Sequence, residues 1–372
     1  MVPENAMTLI LSNDDITELL PMADCIERLD ETYRDMGEGR AMSRPRSDIY
    51  GPVTEHGRYV FKTMDGVAPR YEAAAVRLNS DLIKWTRGPA GIRKDKQPVA
   101  DGKWVGLVML FSTRTGEPLA IMPDGVMQRL RVAAANALGV KYMTLPGAST
   151  YALIGSGWQA SGQALAIAAV RPLKEIRVYS PTQANREKLA EELAQTLGIK
   201  VIAAESAQLA VRGADIVGMA TNSVTPVVEH RWLAPHAHVT SVKELELDPA
   251  TINGSALVVV HSRIDRPANF IVGEGEDPIY SHDPQQGLPA ELQSTRASRV
   301  ASKVDLTRCA DLGELVTGQV QLPPSGRMTT FVNTIGLGLQ FAALGALACE
   351  RAKERKMGRE IPTDWLLETV HP

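Results

Sequence analysis

The run YALIGSGWQA at residues 151–160 constrains the fold more than any other part of the chain. A short apolar strand enters a glycine turn of the form G-x-G-x-x-A, and an apolar helix leaves it. Gly155 permits the tight turn, Gly157 lets the backbone approach a pyrophosphate, and Ala160 keeps helix and sheet close. Ser156, Trp158 and Gln159 complete the turn and open the helix, whose first N–H groups are free to meet phosphate oxygens. Strand and helix then alternate: EIRVYS, a helix over 183–196, KVIAA, ADIVGMATN, HVTSV and ALVVVHS. Such alternation predicts a parallel sheet with crossover helices. The expected fold class is α/β, with a Rossmann-type doubly wound parallel sheet over 145–325. At 372 residues the chain has room for a second domain, and the flanks 1–144 and 326–372 are expected to build it as an α+β unit.

The flanks carry their own signals. Residues 14–39 show acidic caps and helical spacing, which predict two helices. From 44 to 123 the pattern turns to strands: RYVFKTMDG, AAAVRLNSD, and WVGLVMLFS before the turn TRTGEP. Between them, residues 84–103 are rich in Lys, Arg, Gly and Pro. They read as a solvated insertion loop, or alternatively as a lid facing an anion. A helix is expected over 125–142 and another from 331 to about 355, with polar, irregular chain between 262 and 300.

The end of the second strand should carry the residue that reads the adenosine ribose. An acid there would hydrogen-bond the 2′-hydroxyl of NAD. This chain offers Ser180, Thr182 and Arg186 instead, which suit the phosphate of NADP(H) better, with NAD(H) left open. Ser180 and Thr182 also sit where helix caps belong. Thr221 and Asn222 end the fourth strand, and Val242 lies in the turn after the fifth. Both turns are expected to line the nicotinamide half of the crevice.

Composition narrows the partners. A net charge of −3 gives no basic field for nucleic acid. Three dispersed cysteines suggest neither disulfides nor zinc, and a cytoplasmic setting is expected. No secretory signal is read at the N-terminus, and the apolar stretch 335–349 is too short to span a bilayer. His230, His236 and His238 lack metal-ligand spacing and read as loop histidines. The acidic run Glu274, Glu276 and Asp277 reads as a solvated loop. No metal is expected.

Several stretches together resemble the ornithine cyclodeaminase/mu-crystallin family. They are SRPR, AAAVRLNSD, FSTRTGEPLAIMPDGVMQRLRVAAANALGVKYM, IGSGWQASGQ, GADIVGMATNSVTPVV, DLGELVTGQ and TFVNTIGLGLQFAALGA, in order along nearly the whole chain. The resemblance implies a homodimer whose N- and C-terminal segments form the substrate and dimerisation domain. It also implies hydride transfer at the α-carbon of a small amino or imino acid. By position, Arg46 and Arg131 match carboxylate-binding arginines, and Thr334 matches the hydroxyl that helps seat the nicotinamide. A guanidinium fork suits that task because it orients a carboxylate through two hydrogen bonds.

Two departures from the family pattern bear on substrate. Arg77 stands where a lysine is usual, and an arginine can clamp a substrate but hardly exchange its proton. After the fifth strand, where cyclodeaminases carry an aspartate in a glycine-rich turn, this chain has Lys243 and Glu244. Glu244 could replace that carboxylate, and Lys243 could supply the missing cation. The expected activity is an NADP(H)-dependent imine or ketimine reductase or amino-acid dehydrogenase. The alternatives are a cyclodeaminase that recycles its NAD internally and a non-catalytic NADPH-binding protein.

Overall fold

The computed structural model describes residues 6–88, 91–223, 225–263, 268–271, 279–281, 305–334 and 336–369, with the backbone alone at 87–88, 91–94, 268–271 and 279–281. The acidic run 274–277 lies outside the described residues.

Eight parallel strands follow the pattern set by the glycine turn. They are β1 (Thr150–Ile154), β2 (Glu175–Tyr179), β3 (Lys200–Ala203), β4 (Ile216–Met219), β5 (His238–Ser241), β6 (Leu257–Val260), β7 (Ala310–Asp311) and β8 (Thr329–Val332). Their order is β3-β2-β1-β4-β5-β8-β6-β7. Direction of travel reverses between β1 and β4, so a crevice opens outside the carboxyl ends of those two strands. The central strands β4, β5 and β8 are buried at every residue, as strands covered on both faces must be.

The second sheet is mixed and has eleven strands. Its middle is an antiparallel set, Ser47–Thr54, Gly57–Ala68, Ala73–Gly88, Val105–Ser112 and Pro118–Pro123. Met7–Ile10 joins Pro118–Pro123 in parallel and pairs with Arg359–Pro362, so the two ends of the chain close one edge. The helix Gly338–Arg355 lies on the inner face of this sheet. Its start meets the sheet backbone to backbone: a Cβ on Gly66 would stand 2.2 Å from the amide nitrogen of Leu339.

The helix Gly125–Met143 links the layers. It is buried over most of its length, and a Cβ on Gly139 would stand 2.6 Å from the Phe331 ring of β8. One apolar cluster runs from Leu9 through this helix to Ala352 and includes Val259 and Phe331 of the parallel sheet.

The structure departs from the sequence reading in several places. Residues 329–332 form a strand and the helix begins only at Gly338, because β-branched Thr329, Thr330 and Val332 favour the pleated core. The parallel sheet therefore reaches past 325, while Ala268–Ile271 and Ile279–Ser281 belong to the mixed sheet. We place the return to the flanking unit after Val332. The segment 84–103 is no insertion loop: Ala73–Gly88 and Gly91–Gln97 form a hairpin that extends the sheet.

His238 is no loop histidine either. It lies on β5, almost fully buried, with Nδ1 2.8 Å from Thr329 Oγ1. Burial pushes its imidazole down to about 3. The unfolded chain takes up that proton first, near a pKa of about 6.5, so this contribution to stability is full above that pH and falls as pH drops toward 3. Urea unfolding should show about 2 kcal/mol lost between roughly pH 7 and pH 5. His238→Asn should lose measurably less over the same interval, and an equal loss would refute the assignment.

Candidate active site

The carboxyl ends of β1, β4, β5 and β8 gather most of the expected residues. Gly155 has φ +123°, and a Cβ there would stand 2.3 Å from the carbonyl oxygen of Ala220. Only glycine fits a turn pressed so closely on the end of β4. Gly157 is the N-cap of the helix Trp158–Val170, with no side-chain cap and nothing within 4 Å of where its Cβ would be. The first N–H groups of that helix are therefore open to a ligand, and the cradle fits a pyrophosphate. Ala160 is fully buried among Leu153, Ile176 and Val178. Trp158 is exposed and carries the Arg129 guanidinium 3.9 Å above its ring. Gln159 turns its side-chain oxygen inward.

At the end of β2, the Ser156 hydroxyl donates to Ser180 Oγ at 2.8 Å, and Ser180 donates in turn to the Thr182 carbonyl. The Ser180 hydroxyl is thus spent on holding two turns together. Arg186 donates through one Nη to the Ser180 carbonyl at 3.1 Å, and its guanidinium stands 5.9 Å from the centre of the Tyr179 ring. A cleft of about 450 Å³ adjoins this turn through Ser156, Gly157 and Trp158, but it opens between the two following helices, away from β4 and β5.

At the other end of the crevice, the deciding carboxylate is one the sequence reading missed. Glu244 is exposed, whereas Glu246 is fully buried. Glu246 Oε1 accepts from the Thr221 hydroxyl at 2.6 Å and from the Thr221 amide. The Val242 amide also favours its charged form, yet burial dominates and raises the Glu246 pKa. Lys243 is half-buried beside it, its own pKa lowered by burial and pulled back up by Glu246. The cause is local: residues 244–246 form a 3-10 turn, and that turn directs the third residue inward. Asn222 is exposed.

Beyond β8, Asn333 Nδ2 donates to Asn136 Oδ1 at 2.8 Å, and the Asn333 amide donates to the Ser241 carbonyl. These bonds tie the helix Gly125–Met143 to the ends of β5 and β8. Thr334 donates to the Ser262 carbonyl at 3.1 Å.

The three arginines differ sharply in their company. Arg46 makes a two-pronged pair with buried Asp48, both contacts at 2.8 Å. Arg77 is almost fully buried and donates through Nε to Asp124 Oδ2 at 2.7 Å; Asn79 donates to the same oxygen. Gly106 leaves room for that carboxylate, since a Cβ there would lie 2.0 Å from Asp124 Oδ1. The expected clamp at Arg77 is therefore already matched in charge. Arg131 is as deeply buried, yet has no carboxylate partner among the described residues. Its Nη1 reaches Gln340 Oε1 at 3.4 Å, and Phe341 stacks 5.5 Å away. Burial, reinforced by Arg77, pushes its pKa down to about 9. No group of His, Cys, Asp and Glu among the described residues could hold a metal.

The family model described as ornithine cyclodeaminase/mu-crystallin matches residues 6–356. The chain belongs to that family. Among its relatives in the family is an uncharacterized cyclodeaminase, y4tK, of Sinorhizobium fredii, 29% identical over 94% of this chain and 97% of that one. A Δ1-pyrroline-2-carboxylate reductase of Bacillus cereus is 25% identical over 69% of this chain and 74% of its own. The Thermococcus litoralis Δ1-pyrroline-2-carboxylate reductase, solved with NADH and L-proline, superposes with a TM-score of 0.74. It is 26% identical, with 95% of this chain and all of that one covered. Among the described residues no helix is long and apolar enough to cross a membrane.

Glu246→Gln keeps an acceptor for Thr221 while removing a buried charge. Because burial raises the Glu246 pKa, the native state holds its proton longer than the unfolded chain, and stability falls as pH rises from about 4.3 through the folded value. Thermal unfolding should show the variant gaining on the parent between roughly pH 4 and pH 8. A difference that stays flat across that range would show that Glu246 is not the ionising group.

Proposed function

We propose that the protein is an NADP(H)-dependent oxidoreductase acting at the α-carbon of a small amino or imino acid, in the direction of imine reduction. The observation that carries this reading is Arg131, a buried guanidinium with no carboxylate partner among the described residues. An incoming substrate carboxylate would supply the missing charge and be oriented by the fork. Arg77, Asn79 and Asp124 hold the adjacent wall rigid, and Arg46 closes it from the strand side.

When bound, the nicotinamide supplies a hydride to the substrate carbon. Gly155, Ser156 and Gly157 would hold the pyrophosphate, while Thr221, Val242 and Thr334 line the nicotinamide end. Thr221 is fixed by Glu246, so the wall it forms is already in place before the ligand arrives. Lys243, at the end of β5, hands a proton to the imine nitrogen. Its lowered pKa suits that role, since a cation destabilised by burial gives up its proton readily. The exposed position of Glu244 counts against it as the proton carrier.

Two features support NADP(H) over NAD(H). No acid follows β2 between 180 and 186, and Arg186 keeps part of its fork unspent. We also assign a homodimer through the outer face of the mixed sheet, where Ile49, Tyr59, Val67 and Leu107 stand partly exposed, away from the helix.

Calorimetric titration with NADPH and NADH tests the cofactor. NADPH should bind more tightly, and Arg186→Gln should weaken it roughly tenfold while leaving NADH unchanged. Preference for NADH in the parent protein would overturn the assignment. Turnover is read from nicotinamide absorbance with imines of α-keto acids. Net consumption is expected, whereas ammonia release without any absorbance change would indicate a cyclodeaminase. Arg131→Met should cost roughly a hundredfold in kcat/KM and raise the melting temperature of the ligand-free protein, because it removes an uncompensated buried charge.

A further inference from the structure

The inner face of the mixed sheet carries a second cationic feature, next to the arginines but not used by them. On Gly57–Ala68, residues 60, 62, 64 and 66 point inward, so Lys62 is buried by strand alternation. Its register neighbours are Asp48 on one side and Asn79 on the other. Arg77 pairs with Met64, one inward position along, which makes Lys62 and Arg77 diagonal neighbours on the same face, about 7–8 Å apart at Cα. Arg77 and Arg131 both lie by the Phe341 ring in the first turn of the helix Gly338–Arg355. Lys62 thus lies one inward position along the same sheet face from the place where Arg77 meets that ring.

Its charge is only partly matched. Lys62 Nζ donates to Asp81 Oδ2 at 2.7 Å, while Lys96 stands 2.9 Å from Asp81 Oδ1. Two ammonium groups share one carboxylate. Asp81 takes one of the three N–H donors of Lys62. The neighbouring Asp48 is engaged by both prongs of Arg46, and Asp124 by Arg77 and Asn79. An excess of positive charge inside a sheet face is costly unless an anion meets it.

We propose that Lys62, with Lys96 behind it, forms a second anion subsite beside Arg131, so that the substrate is an amino or imino acid bearing a carboxylate on its side chain. Arg131 takes the α-carboxylate and Lys62 the distal one, with the α-carbon held between them. The inference rests on the oxidoreductase reading for its turnover but not for its binding.

The test compares L-aspartate and L-glutamate with L-alanine and L-proline in the oxidising direction, together with calorimetry of succinate on the NADPH-loaded protein. A diacid should be the better substrate. Lys62→Met should raise its KM, and weaken succinate, roughly thirty-fold while leaving KM for a monoacid in place. Lys96→Gln changes a more exposed side chain and leaves Asp81 to neutralise Lys62 alone. It should shift the diacid and succinate in the same direction by less, and it carries the test if Lys62→Met does not fold. Equal losses for diacid and monoacid, or succinate binding indifferent to both variants, would overturn the subsite. Succinate binding that depends on Lys62, without turnover of any amino acid, would uphold the subsite and count against the oxidoreductase reading.

Discussion

The pairing of Arg77 with Asp124 joins the two halves of the molecule. Arg77 belongs to the central strand of the mixed sheet, and Asp124 is the residue from which the helix Gly125–Met143 departs. That helix runs to the parallel sheet and presents Arg131 on the way. Breaking such a pair by removing one partner typically costs about 3–5 kcal/mol, because the survivor is left buried and uncompensated. The helix that starts at this pair carries Arg131 two turns on, so fold and site share one anchor. Gly106 makes room for the pair, since a Cβ there would press on both Asp124 and Asn79.

The cofactor half was legible because its determinants are local. The glycine turn, the strand it follows and the helix it opens lie within about twenty residues, and each carries its own signal. The ends of β4 and β5 could be placed by strand counting alone. The substrate half depends on which side chains meet across strands, and periodicity cannot supply that. Strand alternation points Lys62 inward, but only the register sets it beside Asn79 and Asp81. Asp48 and Asp124 gave no signal as partners, because pairing depends on distance rather than spacing in the chain.

The exchange of Glu244 for Glu246 is a sharper case. Both are glutamates in one charged run, and a shift of two residues decides which is wetted and which is buried. The 3-10 turn settles the matter. Residues 331–332, the end of β8, fall within the helix expected from 331 for a related reason: an apolar run before a long apolar helix carries no mark of where strand ends and helix begins. Their neighbours in the parallel sheet, β5 and β6, come from distant parts of the chain.

That last strand governs how the molecule can be assembled. β8 lies between β5 and β6, so the parallel sheet has a gap at its centre until residue 332 has joined it. The mixed sheet in turn waits for Arg359–Pro362 to lie against Met7–Ile10. The parallel sheet is complete only when its last strand inserts between two earlier ones, and the mixed sheet draws on both ends of the chain, so both require pairings between remote segments, the kind that slow folding. A chain cut short before β8 would therefore lack the middle of one sheet and the edge of the other.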